Sequence, residues 1–210
     1  ANAEIGLPGN PNSVDLQFSN NPNGDGLGRT TEDKVIVFTY ELDGTKVDGA
    51  NVDTKLEGAE FVLFNGGHTQ VAHIENGKLV EWVNLPGGYN NGNYEEIHYE
   101  VWEEFNATTN VIMTSTAEGV FGVSGLDDGT YYLMEIEAPN GYNLLYRDLE
   151  IVIAATTTNG QTWDGIPANA LTALEVQTQL GEDEPVDGVG NVETGEVGIQ
   201  VTNNQGATLP

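Results

Sequence analysis

The sequence predicts an all-β fold, because short apolar runs alternate with turn signals along most of its length. Glycine accounts for 27 of 210 residues and hydrophobic residues for 38%, a composition typical of a turn-rich β protein with a modest core. Asn-Gly pairs at 65–66, 76–77 and 91–92 are strong signals for hairpin turns. We therefore expect a β-sandwich with insertions and one or two short helices.

The charge of the chain limits its partners. The formal net charge is −27, with 33 acidic residues against 6 lysines and arginines. Because phosphate binding requires clustered Lys or Arg, we expect neither nucleic acid nor an anionic membrane surface as a partner. The chain has no cysteine, which excludes disulfides and Cys-ligated metals, and His68, His73 and His98 lack metal-ligand spacing. We expect no cofactor and no metal site.

Residues 33–48 predict the first long strand of the main domain. Apolar side chains alternate on one face from Ile36 to Leu42, and Gly44 and Lys46 continue that face. A lysine in this phase either points into the core or snorkels past the edge of the sheet, and the alternation alone leaves both open.

Two later strands also place a polar residue on an apolar phase. The continuous run at 131–137 is typical of a strand buried on both faces, yet it contains Glu135. A buried carboxylate is costly unless it is protonated, paired or hydrogen-bonded; the alternative is that Glu135 faces water at a strand end. At 197–203, every second residue is apolar until Asn203 takes the same face.

The N-terminal residues 1–30 are rich in Asn, Pro and Gly around one predicted strand at 14–20. Asn20 either continues the apolar face of that strand or opens the turn into the next residues, Asn21-Pro22. One apolar strand cannot bury enough surface to offset chain entropy, so we expect no independent core in this segment.

The middle of the chain, residues 65–125, is predicted to consist mainly of hairpins. Within it, residues 94–105 are predicted as a strand, although the same apolar spacing also fits one face of a helix. Further on, Pro167 predicts a short helix at 167–174, because proline favours the first turn. A strand is predicted to follow at 175–180.

Four separated motifs occur in a fixed order. They are F-S-N-N-P-N…T-T-E-D-K-V at 18–35, K-V-D-G…K-L-E-G-A-E-F-V-L-F at 46–64, G-x-Y-x-L-x-E-x-x-A-P-x-G-Y at 129–142, and N-x-x-G-x-x-L-P at 203–210. Together they resemble Cna B-type (immunoglobulin-like) domains of sortase-assembled pilins and surface adhesins of Gram-positive bacteria. The sequence departs from the family pattern at Lys55-Leu56-Glu57, where Pro-Leu-Ala is usual; this affects only a turn.

The resemblance implies an intramolecular isopeptide bond between Lys46 and Asn203, assisted by Glu135. Burial lowers the pKa of a lysine and raises that of a carboxyl, so a neutral amine beside a protonated carboxyl becomes accessible at neutral pH. The amine then attacks the side-chain carbonyl of the asparagine while the carboxyl relays protons, and ammonia leaves. The reaction runs once, so we do not expect an enzyme with turnover.

Three neighbouring residues are alternatives to this set. Asn204 points to the other face of a regular strand, Glu137 lies beside Pro139 where its strand ends, and Lys34 stands at the entry of its strand.

The resemblance also divides the chain into residues 1–30, a linker or last-strand remnant of a preceding pilin domain, and residues 31–210, the Cna B-type isopeptide domain. Asn20 would then close an isopeptide bond belonging to the preceding domain. Leu209 and Pro210 would be the first two letters of the LPxTG sorting signal that a sortase reads.

The implied function is a structural shaft subunit of a cell-wall-anchored, secreted pilus or fimbria, located outside the cell. Its partners would be other pilin subunits in a head-to-tail covalent polymer and a pilus-specific sortase, with a host surface or extracellular matrix as a further partner in adhesion. No Tyr-Pro-Lys pilin motif occurs, which leaves a tip or anchor adhesin subunit open.

A host- or carbohydrate-binding module, or a carbohydrate-active enzyme, is the competing class. Paired carboxylates at 95–96 and 103–104, near Trp82 and Trp102, are the residues that a glycosidase cleft would use. With 33 acidic residues in the chain, such neighbours also arise by chance.

Overall fold

The computed structural model describes residues 3–21, 23–24, 26–90, 92–158 and 165–206. It confirms the all-β prediction: most of the structure is β-sheet, with a single α-helix among the described residues. The strands in chain order are β1 (Asn10–Val14), β2 (Gln17–Asn21), β3 (Gly26–Arg29), β4 (Asp33–Val37), β5 (Tyr40–Asp48), β6 (Asn51–Lys55), β7 (Glu60–Asn65), β8 (Gln70–Glu75), β9 (Lys78–Asn84), β10 (Ile112–Thr114), β11 (Val120–Leu126), β12 (Gly129–Glu137), β13 (Leu149–Thr157), β14 (Leu171–Leu180), β15 (Val186–Asp187), β16 (Val189–Gly190) and β17 (Glu196–Asn203). The helix α1 spans Tyr99–Thr109, and single 3-10 turns lie at Pro86–Gly88, Tyr94–Glu96 and Pro167–Asn169.

One large sheet makes up the body of the molecule. Its strand order is β15-β14-β13-β12-β7-β8-β9-β11-β5-β17-β16, with β10 added beside β7 and β6 beside β5. The sheet curls until its two halves pack face to face, and both halves contribute side chains to one apolar core. The first and last long strands of this body, β5 and β17, are parallel neighbours.

A short bridge joins the two ends of the sheet. β15 pairs with β14, β16 pairs with β17, and Gly188 between them donates its N–H to the carbonyl of Val176 at 2.8 Å. Since unpaired strand edges invite pairing with other chains, this bridge protects both edges at once.

A second apolar core lies on the outer face of the sheet, under α1. Trp102 is its centre and is fully buried, and it contacts the ring of Phe64 edge-on at 6.0 Å. Tyr132 and Met134, on the outward phase of β12, pack against this core. The strand around Glu135 is therefore covered on both faces, as its continuous apolar run predicts.

The N-terminal segment forms two small two-stranded sheets, β1 with β4 and β2 with β3. It touches the body near Gly6, whose N–H donates to the carbonyl of Thr39 at 2.9 Å. Gly6 and Gly195 pack backbone against backbone, because a Cβ on Gly195 would lie 2.3 Å from the nitrogen of Gly6. Both glycines have positive φ, at 66° and 74°.

Three predicted elements have the wrong boundaries. The predicted strand at 33–48 is divided into β4 and β5, because the chain leaves its pairing with β1 and enters the main sheet. The predicted helix at 167–174 is only one 3-10 turn, and its second half joins β14, where pairing with β13 overrides local preference. The predicted strand at 14–20 is likewise divided between β1 and β2.

Residues 94–105 contain the clearest error, since the predicted strand is a 3-10 turn followed by α1. The segment forms a helix and not a strand because helical spacing places Trp102 and Phe105 together against the second core. The helix ends where Asn110 adopts a left-handed conformation, with φ 51°.

Candidate functional site

Lys46 lies between the two layers of the sandwich, and its side chain is 0% exposed. It stands on β5 opposite Val201 of the parallel strand β17. Its backbone is fully used, since its N–H donates to the carbonyl of Gly119 at 2.7 Å and its carbonyl accepts from the N–H of Leu56 at 3.0 Å. Paired on both sides, the backbone holds the side chain in the inward phase.

Glu135 comes from the opposite layer and meets the lysine directly. Its Oε1 lies 2.7 Å from Nζ of Lys46, and its side chain is also 0% exposed. Its Oε2 accepts the backbone N–H of Leu145 at 2.8 Å. The carboxylate therefore faces an ammonium on one oxygen and a backbone donor on the other, which offsets the cost of burying it.

Asn203 completes the cluster from the last residue of β17. Its Nδ2 donates to both carboxylate oxygens of Glu135 at 2.9 Å, and its Oδ1 accepts a hydrogen bond from Nζ of Lys46. Asn203 is 2% exposed. The structure thus brings the three residues selected by strand phase into mutual contact, although they lie on three different strands.

Burial lowers the pKa of Lys46, and the nearby charge of Glu135 and its hydrogen bond act in the opposite direction. The balance favours the neutral amine more than in an exposed lysine. A neutral Nζ carries a free lone pair, which is what a nucleophile toward a carboxamide carbon needs.

Aromatic rings close the site from the side. The ring of Phe61 lies 5.2 Å from Nζ of Lys46 and stacks on Phe121, with centroids 4.4 Å apart. Gly44 makes this stack possible, because a Cβ there would lie 2.2 Å from the ring of Phe121. These rings shield the amine and the carboxylate from water, which strengthens their interaction.

Asp48 forms a second polar cluster next to the first, and the sequence reasoning overlooked it. Its Oδ2 accepts from the hydroxyl of Tyr142 at 3.0 Å and from Nε2 of Gln205 at 3.3 Å. Its Oδ1 accepts from the N–H of Ala50 at 2.8 Å. The one signal in the sequence was its place inside the K-V-D-G motif, two residues after Lys46.

The three alternative residues lie away from the cluster. Asn204 and Glu137 are exposed, as expected from the opposite phase of one and the strand end of the other. Lys34 is also exposed, and its Nζ pairs with Glu32 at 3.2 Å.

Asn20 is exposed in β2, at an irregularity in its pairing with β3. Leu209 and Pro210 lie outside the described residues.

The residues singled out for a carbohydrate cleft do not converge. Trp102 is fully buried in the second core, so its ring is not free to stack on a sugar. Trp82 is half-buried, and its ring stacks on Tyr131 at 5.9 Å. Glu95 pairs with Arg147 at 3.3 Å. Among the described residues, no group of His, Asp or Glu has an arrangement that could hold a metal ion.

His68 packs among aromatic rings next to the 3-10 turn at 94–96. Its ring is tilted against Tyr132 at 3.9 Å and stacked on Tyr94 at 4.4 Å, and Nε2 contacts Oδ2 of Asp148 at 3.0 Å. This packing fastens the 3-10 turn at 94–96 to the body.

None of the described helices is long and apolar enough to cross a membrane.

Several solved pilins are similar to this structure. They include the pilus 2b backbone protein of group B streptococcus (24% identity, 86% of this chain and 48% of that chain, TM-score 0.49) and the T6 backbone pilin of serotype M6 Streptococcus pyogenes (18%, 98% and 45%, 0.49). The major pilin subunit BcpA of Bacillus cereus is a further example (22%, 93% and 38%, 0.41). The chain spans less than half the length of each of these three proteins.

No curated protein matches the chain. A family model described as the SpaA prealbumin-like fold domain matches residues 41–165, which is more than half of the chain. The matched region begins on β5 and includes Lys46 and Glu135. The protein therefore belongs to the family of SpaA prealbumin-like fold domains, as the resemblance of its four motifs predicted.

Proposed function

We propose that this chain is a structural shaft subunit of a covalently polymerised cell-surface pilus. In this proposal, an autocatalytic isopeptide bond between Lys46 and Asn203 stabilises the sandwich. One observation carries the proposal: Lys46, Glu135 and Asn203 meet in a buried site with every polar atom of the cluster facing another.

The reaction needs one proton relay, and Glu135 is placed to provide it. Nζ of Lys46 attacks Cγ of Asn203, so that the Nζ–Cγ bond forms and the Cγ–Nδ2 bond breaks. Oε1 of Glu135 lies 2.7 Å from Nζ and 2.9 Å from Nδ2, so one oxygen can accept the proton from the amine and return it to the leaving nitrogen. Ammonia departs, and the amide that remains carries no charge into the core.

The expected benefit is mechanical and thermodynamic strength. Lys46 and Asn203 are 157 residues apart in sequence, and a cross-link closing a loop of that length restricts the unfolded chain. By analogy with disulfides, the stabilisation is about 5 kcal/mol. Because the bond joins the first and last long strands of the body, force applied at the two ends passes through the amide and spares the sheet between them.

The remaining parts of the proposal concern assembly. Residues 1–30 would be a linker or last-strand remnant of a preceding pilin domain, with Asn20 as the bonding asparagine of that domain, and residues 31–210 the isopeptide domain. Leu209 and Pro210 would begin the sorting signal through which a pilus-specific sortase joins neighbouring subunits. The protein would act outside the cell, in a wall-anchored polymer.

Intact-mass spectrometry of the purified chain tests the bond. The wild-type protein should be lighter than its sequence mass by one ammonia, and Glu135→Ala should restore the full mass. Asn-Gly pairs can also lose ammonia, when the backbone N–H of the glycine closes onto the asparagine side chain. Lys46→Met is therefore the essential control, because it blocks the isopeptide bond and leaves every Asn-Gly pair in place.

Peptide mapping then locates the cross-link. A branched peptide containing residues 46 and 203 supports the proposal, and Glu137→Ala, on the same strand but exposed, should retain it. A wild-type mass equal to the sequence mass, or a loss of ammonia that persists in Lys46→Met, would refute the bond.

A further inference from the structure

Asp48 is a buried carboxylate that the isopeptide reaction does not use. It is 6% exposed, and three donors from three separate chain segments converge on it. They are the N–H of Ala50 at 2.8 Å, the hydroxyl of Tyr142 at 3.0 Å and Nε2 of Gln205 at 3.3 Å. A surface aspartate has no need of so many partners, so the cluster requires an explanation.

Asp48 is tied to the reacting asparagine through the backbone. In the parallel pairing of β5 with β17, Asp48 stands opposite Asn203. The next residue, Gly49, donates its N–H to the carbonyl of Asn203 at 2.9 Å. Gln205, which donates to Asp48, follows Asn203 by two residues. The chain at Asp48 and Gly49 is therefore joined to Asn203 itself and to Gln205, just beyond the end of β17.

The segment that begins at Tyr142 connects the end of β17 to Glu135. Tyr142 forms a bridge with Gln205, and the N–H of Asn143 donates to the carbonyl of Asn204 at 3.0 Å. The chain then runs to Leu145, whose N–H donates to Oε2 of Glu135 at 2.8 Å. The corner after β12 thus contacts the end of β17 and the relay carboxylate.

We propose that Asp48, Tyr142 and Gln205 form a latch that positions Asn203 for bond formation. This inference rests on the proposed isopeptide reaction and deepens it, by assigning a role to residues that touch none of the reacting atoms. Asp48 is a positioning residue in this scheme. Tyr142, which follows β12, and Gln205, which follows β17, donate the hydrogen bonds that connect these two strands to it.

The need for a latch follows from where the asparagine lies. Asn203 is the last residue of β17, and strand ends open more readily than strand centres. The reaction requires the amine and the carboxamide carbon to be held about 3–3.5 Å apart in one orientation. When the strand end frays, this geometry is lost. Hydrogen bonds that hold the residues just beyond Asn203 therefore raise the fraction of molecules in which Asn203 is positioned to react.

The electrostatics of Asp48 suit this role. The backbone N–H of Ala50 holds the pKa of Asp48 below its usual value, and the donors on Tyr142 and Gln205 act in the same direction. The latch is therefore a full acceptor at neutral pH.

The rate of ammonia loss tests the inference in the full chain. The protein is made by cell-free synthesis, samples are quenched into denaturing acid at intervals, and intact masses give the bonded fraction. We expect Asp48→Asn and Tyr142→Phe to slow the reaction about tenfold or more, the rate equivalent of one charge-assisted hydrogen bond. Tyr132→Phe is the matched control, because it removes a hydroxyl bonded at 2.8 Å to another carboxylate, Glu150, outside the latch.

Two further readouts separate positioning from general destabilisation. Above the acid range, the rate of Tyr142→Phe should be lower than the wild-type rate by the same factor at every pH. The shape of the pH profile is kept because the groups that titrate in the reaction are unchanged. In a Glu135→Gln background, where no bond forms, Tyr142→Phe should remain folded by circular dichroism at the reaction temperature. A rate loss explained entirely by an unfolded fraction overturns the inference.

The outcomes also distinguish the latch from the bond itself. If the wild-type chain loses an ammonia that Lys46→Met retains, and both latch variants react as fast as Tyr132→Phe, the latch is wrong and the bond stands. If the wild-type chain loses no ammonia, both proposals fail. If Asp48→Asn does not fold, Tyr142→Phe decides, since it removes a single oxygen from a half-buried side chain.

Discussion

The sandwich body and the N-terminal segment treat polar and apolar residues in opposite ways. The body fully buries a lysine, with Lys46 at 0% exposure, together with Glu135 and Asn203. The N-terminal segment leaves large apolar side chains in water, with Val14 at 68% and Leu27 at 65%. Hydrophobicity alone would assign these residues to the wrong environments.

The contrast shows that a polar side chain is buried where it finds hydrogen-bonding partners, and an apolar side chain where a second layer of structure covers it. In the body, the charged groups are buried because each one finds a hydrogen-bonding partner there. In the N-terminal segment, the sheet of β2 and β3 has no second layer to cover it within the described residues. The sheet of β1 and β4 is covered only where Ile36 packs against the core of the body. The exposed apolar residues of this segment and of β4 are Val14, Leu16, Phe18, Leu27, Val35 and Val37.

The largest expected effect comes from removing the central partner of the buried cluster. Glu135→Ala should lower the free energy of unfolding by at least about 4 kcal/mol, because it abolishes the proposed cross-link and leaves a lysine buried without a counter-charge. Chemical denaturation monitored by tryptophan fluorescence measures the change.

Glu137→Ala is the control for that change, two residues away on the same strand and exposed. Its effect should stay within about 0.5 kcal/mol of wild type. Equal stabilities of the two variants would show that the buried cluster contributes no more than surface carboxylates do.

A smaller effect is expected where the two regions meet. Gly195→Ala should cost about 1–3 kcal/mol, because alanine at φ 74° is strained and its Cβ would lie 2.3 Å from the nitrogen of Gly6. We expect faster proteolysis around Phe18, since the N-terminal segment loses its backbone packing against the body at Gly6. Gly198→Ala, whose Cβ would have no neighbour closer than 3.7 Å, should leave cleavage unchanged.

The pH dependence of stability sharpens the comparison further. In Asn203→Leu, which cannot form the bond, Lys46 keeps a pKa that burial holds below 10.5. The unfolded chain then binds more protons than the folded chain, so stability should rise with pH between the lowered pKa and 10.5. With the proposed bond in place, the wild type has no free Lys46 amine, and its denaturation midpoint should lack this rise. An Asn203→Leu midpoint that falls over the same interval would contradict the assigned direction.

The smallest effect is expected on the exposed apolar surface. Phe18→Ser and Leu27→Ser should change the free energy of unfolding of the body by less than about 0.5 kcal/mol, because neither side chain contributes to its core. Leu133→Ala, in the core at 0% exposure, should cost about 2–5 kcal/mol in the same assay. A large loss from either serine variant would mean that the segment and the body unfold as one unit.

Much of the site could be predicted from local patterns. The alternation along β5 and β17 is enough to place Lys46 and Asn203 on apolar phases, and the continuous apolar run of β12 singles out Glu135. The signal works because the period of a strand is two, so a polar residue in an apolar phase is visible in the sequence itself.

The clearest error arose where two local periods competed. At residues 94–105 the apolar spacing suited a strand and a helix equally, and the second core under α1 decided in favour of the helix. Asp48 was overlooked for a related reason. Its importance comes from Tyr142 and Gln205, which are distant in sequence and approach only through the corner after β12 and the end of β17.

By itself, the sequence determined the β architecture, the family and the position of three polar residues among apolar neighbours, since each depends on composition, motif order or the spacing of near neighbours. Only the tertiary structure decided that β5 and β17 are parallel neighbours, that Glu135 faces them from the other layer, and that Asp48 accepts a hydrogen bond from Gln205. The physical reason is that strand pairing across long loops depends on which apolar surfaces can be covered together, a property of the whole chain that no local window contains.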